Sequence, residues 1–130
     1  MPNAESPCRT IMENAEVLET SGAEPGEISV GIKIVIPPES GYFDGHFPQI
    51  QVLPALAQFE LVVRLASRFL GTGILVERIK RIKFSSLIRP GARLHIKLTY
   101  KERSGTLVFN INSPEGQAYS SGMILLRAGA

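Results

Sequence analysis

Tyr42-Phe43-Asp44-Gly45-His46-Phe47-Pro48-Gln49-Ile50-Gln51-Val52-Leu53-Pro54-Ala55-Leu56-Ala57-Gln58-Phe59-Glu60 is the stretch from which the rest of the chain can be ordered. Its character changes at Pro54. Before it, glycine and proline punctuate a loop that carries His46. After it, Leu56, Ala57, Phe59, Leu61, Val63, Leu65, Ala66, Phe69 and Leu70 are apolar on nearly all sides of a helix. Pro54 suits the first helical turn, where its missing N–H costs nothing. Gly71-Thr72-Gly73 ends the helix, because glycine tolerates the left-handed cap. A helix of about 17 residues with so much apolar surface is expected to be buried. It carries a single acid, Glu60, in its second turn. His46 and Glu60 are the plausible general acid/base pair that local sequence singles out.

Outward from this stretch the signals are those of strands. Residues 27–36 alternate, with Ile28, Val30, Ile32, Ile34 and Ile36 on one face, until Pro37-Pro38 stops the ladder. Ala15 to Thr20 is a short first strand. Ile74 to Phe84 is a strand that slips register around Ile79 and Ile82, which predicts a bulge. Leu94 to Tyr100, Leu107 to Ile111 and Ala118 to Leu126 alternate and are separated by turns containing glycine. Consecutive strands with short connections give an antiparallel sheet, and the one apolar helix must pack on it. The class is α+β: an N-terminal arm over 1–14, then a single domain over 15–130 with its sheet wrapped around one long central helix. The sheet's remaining face and edges need covering, which points to a dimer.

Composition narrows the function. The 130 residues carry a net charge of only +2, too little to imply nucleic acid. One cysteine, Cys8, allows no disulfide within the chain. No apolar run reaches the roughly 18 residues that span a bilayer, and the N-terminus lacks a basic flank followed by an apolar segment. A cytoplasmic protein is expected. Between Arg78 and Lys101 lie eight basic residues and no acid. Such a run is either a solvated strand face or a docking surface for an acidic partner.

The 42–60 stretch in this frame resembles the hot-dog fold of the FabA/FabZ-type (3R)-hydroxyacyl-[acyl-carrier-protein] dehydratases. The resemblance is carried by Phe43, Gly45-His46-Phe47-Pro48, Val52-Leu53-Pro54 and Glu60, the acid falling 14 residues after the histidine. Lys83-Phe84 and Ile88-Arg89-Pro90-Gly91 resemble further family segments, and the order of elements matches over residues 15–127. Departures are Gln49-Ile50-Gln51 for the family's Gly-Asp-Pro, Ala55 for the helix-start glycine, and Arg64 for a glutamine. Ala57-Gln58-Phe59-Glu60 and Ser120-Ser121-Gly122 are more similar to the divergent, aryl-polyene-type ApeI-like branch.

The resemblance implies dehydration of (3R)-hydroxyacyl thioesters on acyl carrier protein to trans-2-enoyl thioesters, in fatty-acid or polyene-type lipid biosynthesis. It implies no cofactor and no metal. His46, which titrates near neutral pH, suits the base that takes the C2 proton. Glu60 suits the acid that protonates the departing hydroxyl. The backbone N–H of Ala55, at the positive end of the helix, matches the donor to the thioester carbonyl. In the family the histidine and the acid meet across a homodimer, one from each chain. Phe47, Leu53, Phe59 and Val63 are candidate linings of an acyl tunnel, though each also suits plain core. Arg78, Lys80, Arg81 and Arg89 are the candidate contacts for the acidic carrier.

Ordinary readings stand beside these. Glu60 and Arg64, at i and i+4, can form a surface helix ion pair, and a close arginine favours carboxylate over acid. His95 alternates with Leu94 and Ile96 and so belongs to the outer strand face; Cys8 and Asp44 carry little weight. Two other functions use the same fold: an acyl thioesterase whose helix acid activates water, and a non-catalytic acyl- or carrier-binding module, which Ala55 and Arg64 keep in view.

Overall fold

The computed structural model describes residues 11–22, 25–38 and 52–127. Its elements in chain order are β1 (Glu16–Ser21), β2 (Glu27–Val35), α1 (Ala55–Leu70), β3 (Val76–Phe84), β4 (Arg93–Lys101), β5 (Thr106–Asn112) and β6 (Ala118–Leu126). The six strands form one antiparallel sheet in the order β1-β2-β4-β5-β6-β3. The α+β class expected from the sequence is the observed one, with α1 packed on one face of the sheet.

Period-two alternation decides that face. Val30, Ile32 and Ile34 of β2, Leu94, Ile96 and Leu98 of β4, and Leu107, Phe109 and Ile111 of β5 are all buried. Register puts them in rows: Ile32 faces Ile96, which faces Ile111. Against them α1 lays Leu61, Val62, Leu65 and Ala66, each 0% exposed. Each large aliphatic side chain so buried contributes about 1.5–3 kcal/mol of transfer free energy.

Three features differ from the sequence reading. First, the strands after α1 do not pair in simple succession. β3 pairs with β6 at the sheet's edge and β4 pairs with β2, because the Ser85–Ala92 segment carries the chain across the sheet. The slip expected in β3 is present as irregularities between Val76 and Arg78 and between Ile79 and Arg81. Second, α1 is not buried all round. Leu56 is 80% exposed and Arg64 is exposed too, with Glu60 between them half-buried, a row one turn apart on the side away from the sheet. Third, the last residues of the expected 1–14 arm belong to the body of the domain. Ile11 is fully buried, and the Asn14 amide bonds both the N–H and the carbonyl of Val35, at 2.8 and 3.0 Å.

One segment organises the end of the sheet nearest the start of α1. The Leu53 N–H donates to the Ile88 carbonyl at 2.7 Å, the Ile36 N–H to the Ala92 carbonyl at 2.9 Å, and the Gly91 N–H to the Ile36 carbonyl at 2.8 Å. Residues 88–92 therefore fasten both Ile36 and Leu53, the stems on either side of residues 39–51. Among the described residues no helix is long and apolar enough to cross a membrane.

Candidate active site

The helix begins at Ala55 with Pro54 as its cap, extended at φ −64° and ψ 156°. Proline has no side-chain acceptor, and no acid lies in the first turn. Among the described residues nothing accepts from the first-turn N–H groups, which lie at the positive end of the helix dipole, and Ala55 itself is exposed.

A turn further on, Glu60 borders a cleft of roughly 170 Å³ lined by Phe59, Glu60, Val63, Arg64, Ile74 and Val76. Four of the six are apolar, so the one acid and the one base share a wall that otherwise suits an alkyl chain. Arg64 Nε donates to Glu60 Oε2 at 3.4 Å, with the two side chains 49% and 37% exposed respectively. The i, i+4 ion pair weighed from sequence is thus formed. Phe59 is held from behind, its ring edge-to-face with Phe84 (centroids 6.5 Å apart) and with Phe109 (6.4 Å). Such pairs prefer this geometry because the positive ring edge meets a negative face.

The candidate residues are placed unequally. Glu60, Phe59 and Val63 come together at the cleft. Leu53 is 3% exposed and sits in the core cluster rather than in the cleft wall. His46, Phe47, Asp44 and Cys8 lie outside the described residues. His95 is on the outer face of β4, opposite Lys33 and Asn112.

The four docking candidates are not one cluster. Arg78, Lys80 and Arg81 are exposed on β3, whose first residue, Val76, lines the cleft. Lys80 Nζ also donates to Thr106 Oγ1 at 3.2 Å. Arg78 faces Leu125 and lies in the row that continues through Thr106 and Lys101 to Glu27. Arg89 follows Ile88, beyond the opposite end of β2, roughly 27 Å along the strands at about 3.4 Å per residue.

The structure adds two residues that carried no site role in sequence. Gln58, 6% exposed, accepts a hydrogen bond from Ser120 Oγ at 2.8 Å and donates from Nε2 to the Leu53 carbonyl at 3.2 Å. The available signal was a polar residue on the buried face of α1 and a serine on the inward register of β6. Among the described residues no group of three or more histidine, cysteine, aspartate or glutamate side chains could hold a metal ion.

Comparison with known proteins gives a consistent set of likenesses. The family model described as ApeI-like, ApeI dehydratase, matches residues 22–123. The 3-hydroxyacyl-[acyl-carrier-protein] dehydratase FabZ of Latilactobacillus sakei subsp. sakei is 37% identical over 86 residues, covering 61% of each protein. The chain thus spans about three-fifths of the length of the curated relatives it matches. An uncharacterized protein from Erwinia carotovora subsp. atroseptica superposes with a TM-score of 0.73 at 28% identity, covering 85% of this chain and 93% of that one. The dehydratase heterocomplex ApeI:P from Xenorhabdus doucetiae gives a TM-score of 0.70 at 26% identity, over 85% and 95% of the two chains.

Proposed function

The chain belongs to the ApeI-like dehydratase family and has the hot-dog fold, and from that premise we propose that it dehydrates (3R)-hydroxyacyl thioesters carried on acyl carrier protein. The product is the trans-2-enoyl thioester, made in fatty-acid or polyene-type lipid biosynthesis in the cytoplasm. The observation that carries this reading is the position of Glu60. Among the described residues it is the one acid on an apolar cleft, about 7.5 Å along the helix axis from the amide of Ala55 at 1.5 Å per residue.

The chemistry is a balanced elimination. His46 takes a proton from C2, and the C–H electrons form the C2–C3 double bond. The C3–O bond breaks, Glu60 gives its proton to the hydroxyl, and water leaves. Charge builds on the thioester oxygen as C2 loses its proton, and the Ala55 N–H stabilises it there. A backbone donor needs no glycine, so alanine serves at position 55 while its Cβ has room. Before Glu60 can act, its ion pair with Arg64 must open. No metal or cofactor takes part.

The reading includes a homodimer in which His46 of one protomer works with Glu60 of its partner. Two features support it. β3 is an edge strand with apolar side chains in the open: Val76 is 45%, Ile79 46% and Phe84 47% exposed, preceded by Ile74 and Leu75 at 51% each. Open apolar edges are pairing surfaces. The Leu56–Glu60–Arg64 row of α1 is also left uncovered by its own sheet. Such a dimer gives a role to the split basic set as well. Arg89 adjoins Ile36 and Leu53, which flank residues 39–51, whereas Arg78, Lys80 and Arg81 share β3 with Val76 of the Glu60 cleft, so a shared site draws them from different chains. The acidic carrier docks across both.

The test is incubation with a (3R)-hydroxyacyl carrier thioester while enoyl absorbance and free thiol are followed together. Enoyl product that disappears in His46→Ala supports the dehydratase. Thiol release without enoyl product transfers the chain to the thioesterases, and carrier binding with neither product makes it a binding module.

A further inference from the structure

Gln58 and Ser120 are 6% and 2% exposed, two of the five buried polar residues among the described residues, and they lie beside a core cluster of aliphatic and aromatic side chains. Position 58 lies on the face of α1 that packs inward, where leucine would extend the apolar surface. Burying an amide and a hydroxyl there is unfavourable unless both are bonded. Both are, and the bonds lead to one place.

The peptide between Leu53 and Pro54 has no N–H, so its carbonyl is its only polar handle. Gln58 Nε2 donates to that carbonyl at 3.2 Å. The next peptide carries the Pro54 carbonyl on one side and the Ala55 N–H on the other. The backbone N–H of Gln58 donates to the Pro54 carbonyl at 3.1 Å. That second bond is the ordinary i to i−4 bond of the helix, so the Gln58 side chain itself fixes the Leu53–Pro54 peptide, the plane next to the one that contains the Ala55 N–H. The Leu53 carbonyl, which can only accept, settles which way the Gln58 amide faces, and the Ser120 hydroxyl, donating to Oε1 at 2.8 Å, holds it there. Among the described residues, no other buried hydrogen bond joins a side chain of α1 to a side chain of the sheet.

We propose that Gln58, locked by Ser120, is a positioning residue that aims the Ala55 N–H at the thioester carbonyl. This rests on the dehydratase reading above. Neither side chain touches substrate; Ser120 acts through Gln58, and Gln58 through the backbone of residues 53–55.

The test is steady-state dehydration of (3R)-hydroxyoctanoyl carrier thioester by the full chain and by Gln58→Met, Ser120→Ala and the double variant. Loss of one such donor lowers kcat by roughly a hundred- to a thousandfold, so misaiming it in Gln58→Met is expected to lower kcat about ten- to a hundredfold. The carbonyl charge exists mainly in the transition state, so KM stays within about twofold. Ser120→Ala lowers kcat about three- to tenfold, and the double variant falls no further than Gln58→Met, because both act through one bond. A merely structural role would lower melting temperature and folded fraction while sparing kcat per folded chain. Wild-type kcat in Gln58→Met, or additive losses in the double variant, overturns the proposal. Should Gln58→Met fail to fold, Ser120→Ala decides by the same criterion. A wild-type chain that forms no enoyl product overturns the dehydratase reading and this proposal together. Enoyl product from wild type with unchanged kcat in the variants overturns the proposal alone.

Discussion

Arg64 reaches back one turn of α1 to Glu60, its Nε 3.4 Å from Oε2, so the residue proposed as the acid is engaged by a cation on its own helix. Both side chains are more than a third exposed, and exposed pairs are worth about 0.2–1 kcal/mol. That energy must be spent before Glu60 can turn to the substrate hydroxyl. Arg64→Gln is therefore expected to raise turnover by up to about fivefold, at 1.36 kcal/mol per tenfold, with little change in melting temperature. Initial rates of enoyl formation check this. A tenfold loss would instead make Arg64 a participant in binding or chemistry.

Ile79 stands 46% exposed near the middle of the edge strand β3. If β3 meets a second copy of the chain, Ile79→Lys places a charge where an apolar side chain is buried, which is costly without a partner charge. Sedimentation across a dilution series is expected to show a dimer for wild type and a dimer at least about a hundredfold weaker for the variant, given a penalty of several kcal/mol. Enoyl formation should fall with the dimer. An active monomer would contradict the shared site.

Arg78 and Arg81 lie on the face of β3 that meets Leu125 and Met123. Reversing both to glutamate should repel an acidic carrier. KM for the carrier-bound substrate is expected to rise about tenfold or more, while KM for the same acyl group on a short pantetheine thioester stays put, since charge at a rim acts on encounter. Equal changes for the two substrates would locate these arginines in the acyl site and not the docking surface.

Gly122 is a glycine because of what lies over it. A Cβ there would be 2.7 Å from the Arg81 carbonyl oxygen and 2.8 Å from Phe109 Cε2. Phe109 in turn backs Phe59 in the cleft wall. Gly122→Ala should destabilise the fold by about 1–3 kcal/mol through overpacking, read from chemical denaturation. Wild-type stability would mean that β3 and β6 are free to part at this point.

Much of this architecture was legible from residue type and spacing. The alternation in residues 27–36 and 94–111 set the buried face, and Pro54 and Gly71 bracketed the helix because each answers a local backbone need. Gly71 takes φ +72°, the left-handed cap. What was not legible depends on distant parts meeting. Strand order escaped because a short connection such as 85–92 can turn back or cross over, and only the pairing of β4 with β2 decides. The open row Leu56–Glu60–Arg64 escaped because apolarity says nothing of which side a sheet covers. Gln58 and Ser120, 62 positions apart in the chain, each stand in a segment similar to the ApeI-like branch; only the fold makes them one hydrogen-bonded unit.

The central claim is that His46 and Glu60 act together on one substrate from two chains. Mixing His46→Ala with Glu60→Gln tests it most directly. Each variant alone should be nearly inactive, whereas an equimolar mixture, after subunit exchange, should recover roughly a quarter of wild-type enoyl formation. Half of the twofold-symmetric dimers are then mixed, and one of the two sites in each is intact. No recovery from demonstrably mixed dimers, or wild-type activity in either variant alone, would contradict the account.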